Sequence, residues 1–347
     1  MLDDSVDLPG DDSTRPTPLP QHPITLSPIT HHPSPPSSPI RIANAPVSWG
    51  ALEFEGFNQK PLPYDVVLDE IAETGYAGTE LGDWGFLPTD PAELRDELGR
   101  RDLALLGAFV PVRLRDPDTL EAGIAHALRV ARLLAAAVPD GDRRGGPFIV
   151  VADDNATDPG RTLHAGRITP EMVLPDDEWA GYAGRAEAVA RAVREATGLR
   201  SVFHPHSAGW VETPEETDRF LAETDPESLG IVFDTGHYLF GAGDDGPTVV
   251  EALDRWGDRI WYIHFKDNDR ELARRSRAEG WDYFQALRAG IFSELGQGGV
   301  DFEAVVRWLN DHGYDGWAVV EQDVLPGMGT PKESARRNRE FLASLGL

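Results

Sequence analysis

The sequence predicts an α/β fold, a (β/α)8 TIM barrel, with a disordered N-terminal tail. From Ile40 onward, short apolar runs alternate with amphipathic segments in eight strand-then-helix units over roughly 300 residues, which is the count of a closed barrel. The composition does not shift again along this stretch, so residues 40–347 form one predicted catalytic domain. A doubly wound open sheet shows the same alternation and is the alternative fold.

Residues 1–39 have the composition of a disordered segment. They contain ten prolines among serine, threonine and aspartate, and almost no aromatic residues. A chain of this kind buries too little apolar surface to offset the entropy that it loses on ordering. We therefore predict a disordered tail that ends where the barrel begins.

The first half of the predicted barrel contains four strands, each a short apolar run that ends in polar residues or a turn. They are predicted at 41–45, 78–82, 103–109 and 148–151. An amphipathic helix is predicted at 64–74, and Asp90-Pro91-Ala92-Glu93 begins the next helix with a capping residue and a proline at the first helical position. Asp116-Pro117 opens another helix, and Gly198 terminates the alanine-rich helix 179–197.

The second half repeats the scheme, with a polar residue at every strand end. The last four strands end at His204, Asp234, His264 and Glu321. Thr213-Pro214-Glu215-Glu216 and Thr330-Pro331-Lys332-Glu333 have the capping-box pattern that begins a helix, and helices are also predicted at 248–256 and 302–312. Because all strands of such a barrel are parallel, the four strand ends share one rim and meet around one cavity.

Composition limits the function classes. The chain has 347 residues, with 59 acidic and 32 basic side chains, a formal charge of −27 and no cysteine. A surface this acidic repels nucleic acid, and the absence of cysteine excludes disulfides and thiolate chemistry. No window approaches the roughly 18–20 apolar residues of a membrane span, and the N-terminus lacks a secretory signal pattern. We expect a cytoplasmic protein without nucleic-acid or membrane partners.

Three strand-end residues form the strongest candidate metal site. Asp234, His264 and Glu321 supply two carboxylates and an imidazole, a mixed ligand set that suits Mn²⁺, Co²⁺, Mg²⁺ or Zn²⁺. The fourth ligand is predicted near the end of the fifth strand, where His204 and His206 are both candidates and Glu212 competes for the position. The hypothesis requires these side chains, which are distant along the chain, to become neighbours.

Several side chains near the same rim can carry protons. One of His204 and His206 completes the metal site while the other shuttles a proton near neutral pH, where imidazole titrates. Lys266 lies two residues beyond the end of the seventh strand and can supply a positive charge or a proton. His237 follows the sixth strand by three residues, where a turn or helix returns it to the site.

Other residues near the strand ends are predicted to line the pocket. Asn44 and Glu80 lie near the ends of the first two strands, and Trp49 follows the first strand and can present its ring face to a sugar-like ring. Glu212 is either a substrate contact or the competing metal ligand. The segment 269–300 is longer than a barrel loop requires and carries four arginines in its first part, followed by aromatic residues, which predicts a lid or a contact in a homo-oligomer.

The strand-end motifs together resemble a known superfamily. They are His204-Pro205-His206, the run 211–216, Phe233-Asp234-Thr235-Gly236-His237, His264-Phe265-Lys266-Asp267 and Val319-Val320-Glu321. Over about residues 41–345 the chain resembles the xylose isomerase-like sugar phosphate isomerase/epimerase superfamily, and within it the inosose dehydratase group.

This resemblance implies a (β/α)8 barrel with one divalent metal and chemistry next to a sugar or cyclitol carbonyl. Asp234, His264 and Glu321 fall on family metal ligands, and His204 stands where the superfamily has Glu and the inosose dehydratase group has His. The chain departs from that group at the end of the third strand, where Gly107-Ala108-Phe109 replaces Gly-Lys-Trp. The resemblance therefore leaves the substrate open.

The implied function is a metal-dependent dehydratase acting on a keto-cyclitol or keto-sugar such as scyllo-inosose, with Mn²⁺ or Co²⁺ preferred. A base among His204, His206 and Glu321 would remove the proton next to the carbonyl, and Lys266 or His237 would help the hydroxyl to leave. An isomerase or epimerase acting on a sugar or sugar phosphate through an enediolate is the nearest alternative. A sugar-binding barrel without catalysis is a third hypothesis.

Overall fold

Parallel strands form one continuous sheet in the computed structural model, which describes residues 39–50, 62–138, 146–324 and 329–347. The nine strands are β1 Arg41–Asn44, β2 Gly78–Thr79, β3 Ala104–Leu105, β4 Gly107–Val112, β5 Phe148–Asp153, β6 Arg200–His204, β7 Gly230–Asp234, β8 Ile260–Phe265 and β9 Trp317–Val320. The predicted tail, residues 1–39, lies outside the described residues apart from Pro39, so its disorder stays a prediction.

The sheet closes on itself at Leu106, which separates β3 from β4. These two short strands are halves of the predicted third strand: β3 pairs with β2, and β4 pairs with β5. The Leu106 amide donates to the Thr79 carbonyl at 3.0 Å, and the Leu106 carbonyl accepts from the Phe148 amide at 2.9 Å. The predicted barrel is therefore confirmed, and the open sheet is excluded.

Helices follow the strands, most of them at the predicted positions. They are α1 Tyr64–Glu73, α2 Pro91–Gly99, α3 Leu120–Ala137, α4 Pro159–His164, α5 Trp179–Thr197, α6 Pro214–Ala222, α7 Thr235–Ala242, α8 Val249–Trp256, α9 Arg270–Glu279, α10 Tyr283–Arg288, α11 Phe302–Asp311 and α12 Pro331–Ser344. The predicted capping boxes at Thr213 and Thr330 are both formed. Within the described ranges, no helix combines the length and apolarity needed to cross a membrane.

Two buried apolar clusters show which way each strand side chain points. The inner cluster draws its residues from strands around the whole barrel, including Val202, Val232 and Val319, and therefore fills the barrel interior. The outer cluster mixes strand and helix residues and packs between the sheet and the helices. Since side chains alternate along a strand, the residues two positions beyond these three valines also point inward. Those residues are His204, Asp234 and Glu321.

The predicted rim segment 269–300 folds into α9 and α10 and packs on the barrel. Tyr283 and Phe292 are fully buried in a third apolar cluster together with Phe240. The Asp267 carboxylate anchors the end of the segment, because it accepts hydrogen bonds from the backbone amides of Gly296, Gly298 and Val300. The segment is thus a structured wall of the barrel mouth.

Candidate active site

Four side chains converge at the carboxyl ends of β6, β7, β8 and β9. His204, Asp234, His264 and Glu321 each offer one ligand atom, and these four atoms all lie within 4.8 Å of one another. His204 Nε2 and His264 Nδ1 are each 4.0 Å from Asp234 Oδ2, and His264 Nδ1 is 3.2 Å from Glu321 Oε1. His206 and Glu212, the other candidates for the fourth position, lie outside this group.

The backbone around two of these residues fixes which atom faces the centre. The Nδ1–H of His204 donates to the Pro205 carbonyl at 2.7 Å, which leaves Nε2 as the atom without a proton. Asp234 caps helix α7, and its Oδ1 accepts from the amides of Gly236 and His237 at 2.9 and 2.8 Å. Its Oδ2 is thereby left to face the other three residues.

His264 is held from the side opposite the centre. Its Nε2 lies 3.1 Å from Glu80 Oε1, and the same carboxylate oxygen accepts a hydrogen bond from the Tyr262 hydroxyl at 2.8 Å. A carboxylate behind a ligating imidazole is the usual arrangement that orients a metal-binding histidine. Glu80, which we expected to be a substrate contact, borders the cavity but also has this orienting position.

Two buried atoms that make no hydrogen bond within the described part of the chain test whether this group fits a cation, and one of them, His264 Nδ1, lies 3.2 Å from Glu321 Oε1. Asp234 Oδ2 and His264 Nδ1 are buried, and neither makes a hydrogen bond to any described residue. Leaving such atoms unsatisfied costs about 1–3 kcal/mol each, and more for a charged group. A divalent cation with two nitrogen and two oxygen ligands satisfies both atoms, and the donor set suits Zn²⁺, Mn²⁺ or Co²⁺.

The charges of the protein groups also favour a cation at this point. Burial raises the pKa of Asp234 to about 6. Burial opposes charge on His264, but the carboxylates of Glu321 and Glu80 outweigh it and raise the pKa of His264 to about 9. Burial likewise opposes charge on Glu321, yet His264 and Lys266 lower the pKa of Glu321 to about 2. The point between the four ligand atoms is therefore anionic and attracts either a proton or a metal ion.

His206 and His237 lie beside this group with their rings 3.8 Å apart. The Nδ1–H of His206 donates to the Ser207 carbonyl at 2.7 Å, so Nε2 is free to accept a proton. His237 Nδ1 lies 2.9 Å from the Ser207 hydroxyl oxygen, and burial lowers the pKa of His237 well below its usual value. Burial also lowers the pKa of His206 to about 4, so both rings are neutral near pH 7.

Lys266 is a buried cation on the other side of Glu321. Its Nζ is 3.3 Å from Glu321 Oε2, 3.5 Å from Asp323 Oδ2 and 4.8 Å from the centre of the Phe292 ring. Burial disfavours its charge, but Asp323, Glu321 and Asp234 outweigh burial and raise the pKa of Lys266 above its usual value. Lys266 is therefore a fixed positive charge beside Glu321.

These side chains border a cavity of about 770 Å³ at the barrel mouth. The predicted residues that line the cavity are Glu80, His204, His206, His237, Lys266 and Glu321. Asp234 and His264 are buried more deeply, with 3% and 1% of their surfaces exposed. Three lining residues that sequence reasoning missed are Phe109, Tyr283 and Asp323. Asp323 follows Glu321 by two positions, and in an extended chain that spacing predicts that both side chains point to the same side.

Asn44 and Trp49, which we expected to line the pocket, lie away from the cavity. The inward residues of this stretch are Ala43 and Ala45, so alternation turns Asn44 outward, toward Tyr76 in the helix layer. Trp49 is only 3% exposed, packs in the outer cluster and donates its indole N–H to Glu70 Oε2 at 2.7 Å. Neither residue lines the cavity, because both belong to the layer outside the barrel.

Glu212 also has a different position from the one predicted. Both of its carboxylate oxygens accept backbone hydrogen bonds at 2.6 Å, one from Gly166 and one from Ala208. Burial raises the pKa of Glu212 to about 7, and the side chain does not border the cavity. Glu212 therefore ties two loops of the rim together, and it neither belongs to the four-residue group nor borders the cavity.

Residues 68–345 match the family model for the xylose isomerase-like TIM barrel. The chain belongs to this family. Among its relatives is the inosose dehydratase of Geobacillus kaustophilus, which is 32% identical over 311 residues that cover 89% of this chain and 95% of the relative. The resemblance inferred from the strand-end motifs is thereby confirmed.

Two solved structures share the fold. The 3-keto-D-glucoside 4-epimerase YcjR from E. coli superposes with a TM-score of 0.60 at 19% identity, covering 88% of this chain and 99% of that one. The IOLI protein with a bound zinc atom superposes with a TM-score of 0.62 at 16% identity, covering 88% and 98%. The chain is an enzyme of the lyase or isomerase/epimerase type, given its curated relatives and this fold.

Proposed function

We propose that this enzyme is a metal-dependent dehydratase that removes water from a keto-cyclitol such as scyllo-inosose. The observation that carries the proposal is the group of four ligand atoms within 4.8 Å, of which two are buried without a hydrogen-bond partner. The likeness to the inosose dehydratase of Geobacillus kaustophilus supports the reaction and the substrate class.

His204, Asp234, His264 and Glu321 would hold the divalent metal. A metal bound there would polarise the substrate ketone and make the neighbouring C–H more acidic. The proposal favours Mn²⁺ or Co²⁺, and the zinc atom in the IOLI structure supports a divalent ion in a barrel of this fold. Glu80 would orient His264 from behind, because it lies 3.1 Å from the other nitrogen of that ring.

Two residues outside the metal group would move the protons. His206 accepts the proton from the carbon next to the carbonyl at Nε2, since its Nδ1–H is committed to the Ser207 carbonyl. Lys266 donates a proton from Nζ to the hydroxyl on the next carbon, which leaves as water, and a carbon–carbon double bond forms between the two positions. His237 packs on the His206 ring and positions it. His204 and Glu321 are committed to the metal group.

The experiment that tests the reaction is incubation of the purified protein and Mn²⁺ with scyllo-inosose. Dehydration next to a ketone produces an enone or dione that absorbs in the ultraviolet. A rise in absorbance supports the dehydratase. A changed sugar by NMR without absorbance supports the second candidate, an isomerase or epimerase, in which His206 removes the same proton and the proton returns to another carbon or face. The fold shared with YcjR, a 3-keto-D-glucoside 4-epimerase, makes that candidate the nearest rival.

Replacement of His206 by Asn tests its role as the base. We expect kcat to fall by about 10³-fold, because general-base catalysis contributes roughly 10²–10⁴-fold. Metal binding is expected to persist, because His206 lies outside the four-residue group. The measurement is initial rate by ultraviolet absorbance, together with the rise in melting temperature on addition of Mn²⁺.

His312→Asn is the matched control, because His312 is exposed and packs against Trp308 on α11, outside the cavity. Its kcat is expected to stay within about twofold of the unmodified protein, as for surface substitutions in general. A His206→Asn protein that keeps more than a tenth of the activity would show that another group removes the proton.

A further inference from the structure

The cavity is too large for a single cyclitol ring. A keto-cyclitol has about a dozen non-hydrogen atoms, and even at about 30 Å³ for each, the share of one water molecule in the liquid, it fills at most roughly 360 Å³. The cavity measures about 770 Å³. At least half of the space that the described residues border next to the four-residue group therefore stays unfilled when one ring is bound.

The surplus space has an apolar wall built from two sides of the barrel mouth. Trp84, from the loop after β2, borders the cavity, and the guanidinium of Arg129 lies 4.5 Å from its ring centre. Phe284 and Leu287 of α10 supply apolar surface from the rim segment. Aromatic faces of this kind pack against the C–H faces of sugar rings, and Trp84 and Phe284 are both only partly buried.

Polar side chains also border the cavity, and their charges exclude a phosphate. Asp83, Asp154 and Asn155 provide acceptors and an amide for hydroxyl groups. Lys266 is the sole Lys or Arg side chain among the described residues that line the cavity, and two carboxylates already neutralise it. Arg113 already pairs with Asp154 at 2.7 Å, and the described lining offers an added phosphate no unpaired arginine or lysine, so the substituent that fits is neutral.

We infer that the natural substrate is a neutral keto-cyclitol or keto-sugar that carries a second sugar ring or a group of similar size, seated between Trp84 and Phe284. This inference rests on the proposed function for the ring that undergoes reaction. It adds a binding subsite and excludes phosphorylated sugars from the substrate class. The reacting ring occupies the inner end beside His206, and the substituent occupies the outer end.

The inference is tested by binding, without catalysis. The probes are myo-inositol and galactinol, an inositol that carries one galactose, titrated calorimetrically into the full-length protein in the presence of Mn²⁺. We expect galactinol to bind at least about tenfold more tightly, because a second ring adds packed aromatic and hydrogen-bonded contact. Galactinol that binds no more tightly than myo-inositol, or not at all, overturns the inference.

Phe284→Ala locates the subsite. We expect the variant to lose about tenfold in galactinol affinity and less than twofold in myo-inositol affinity, because only the second ring contacts the removed side chain. Trp84→Ala tests the opposite side if Phe284→Ala lowers the melting temperature, and Val66→Ala on the outer helix α1 is the control for apolar truncation. An unchanged ratio of the two affinities in both cavity variants overturns the inference.

The outcomes for the two proposals can be separated. If scyllo-inosose is not converted but galactinol binds tightly through Phe284, the proposed reaction fails and the subsite stands. If scyllo-inosose is dehydrated but galactinol has no advantage, the reaction stands and the subsite fails. A test of myo-inositol phosphate in the same titration is expected to show at least about tenfold weaker binding than galactinol, because the one lysine in the described lining, Lys266, is already paired with Glu321 and Asp323.

Discussion

Asp234→Asn is expected to reduce activity by roughly 10⁴-fold, because it removes a charged ligand from the proposed metal group. Asn keeps the shape of Asp, and its Oδ1 can still accept the two amide hydrogen bonds that cap α7. The new NH₂ group replaces Oδ2 and points donors at the position of the cation. The measurements are metal content after dialysis, and the melting temperature with and without Mn²⁺.

The melting temperatures with and without Mn²⁺ show whether Asp234→Asn has lost the metal or has lost the fold. Asp234 is a buried carboxylate whose Oδ2 has no hydrogen-bond partner among the described residues, so its neutralisation is not expected to lower the melting temperature of the chelator-treated protein. The stabilisation by Mn²⁺ is expected to disappear. Asp90→Asn, at the exposed cap of α2, is the control and should keep both activity and the Mn²⁺ response. A metal-replete, active Asp234→Asn protein would contradict the proposed ligand group.

Arg161→Met is expected to destabilise the fold by about 3–5 kcal/mol, the cost of leaving one partner of a buried ion pair unpaired. Arg161 and Glu216 form two parallel hydrogen bonds at 2.7 and 2.8 Å, and both side chains are 1% exposed. Arg161 Nε also donates to the Gly209 carbonyl at 2.7 Å, so the pair fixes the loop that follows β6. The expected drop in melting temperature is about 10 °C.

Two further variants show whether the unpaired charge is the cause. Arg161→Met/Glu216→Gln should be more stable than Arg161→Met alone, since glutamine removes the unpaired charge at position 216 and its Oε1 can still accept from the amides of Glu212 and Thr213. Arg113→Met removes one partner of a more exposed ion pair, in which the Arg113 side chain is 61% exposed, and should cost less than about 1 kcal/mol. Equal losses in Arg113→Met and Arg161→Met would contradict the argument from burial.

Local signals in the sequence were sufficient to predict where most helices and strands begin and end. Capping residues and prolines placed the starts of α2, α6 and α12, and Gly198 placed the end of α5, since these depend on backbone groups within one turn. The break of the third strand at Leu106 was not predictable, because 103–109 reads as one uninterrupted apolar run. Its cause is pairing with neighbours that are distant along the chain.

The sequence by itself determined which residues end the strands, and therefore that His204, Asp234, His264 and Glu321 share a rim. Successive side chains of a strand point to opposite faces of the sheet. A valine that points into the barrel therefore means that the polar residue two positions later also points inward. That rule applies to β6, β7 and β9, whose inward residues are large and apolar.

Tertiary structure alone decided the roles of Asn44, Trp49 and Glu212, and the size of the cavity. The inward positions of β1 are alanines, and such small side chains do not show in the sequence which face of the strand is buried in the barrel. The sequence therefore did not decide whether Asn44 points inward or outward. Trp49 ends a short 3-10 helix and Glu212 lies in the loop after β6, so their directions depend on partners such as Glu70, Gly166 and Ala208. Which side chains share a pocket depends on long-range packing, whereas which residues begin or end an element depends on near neighbours along the chain.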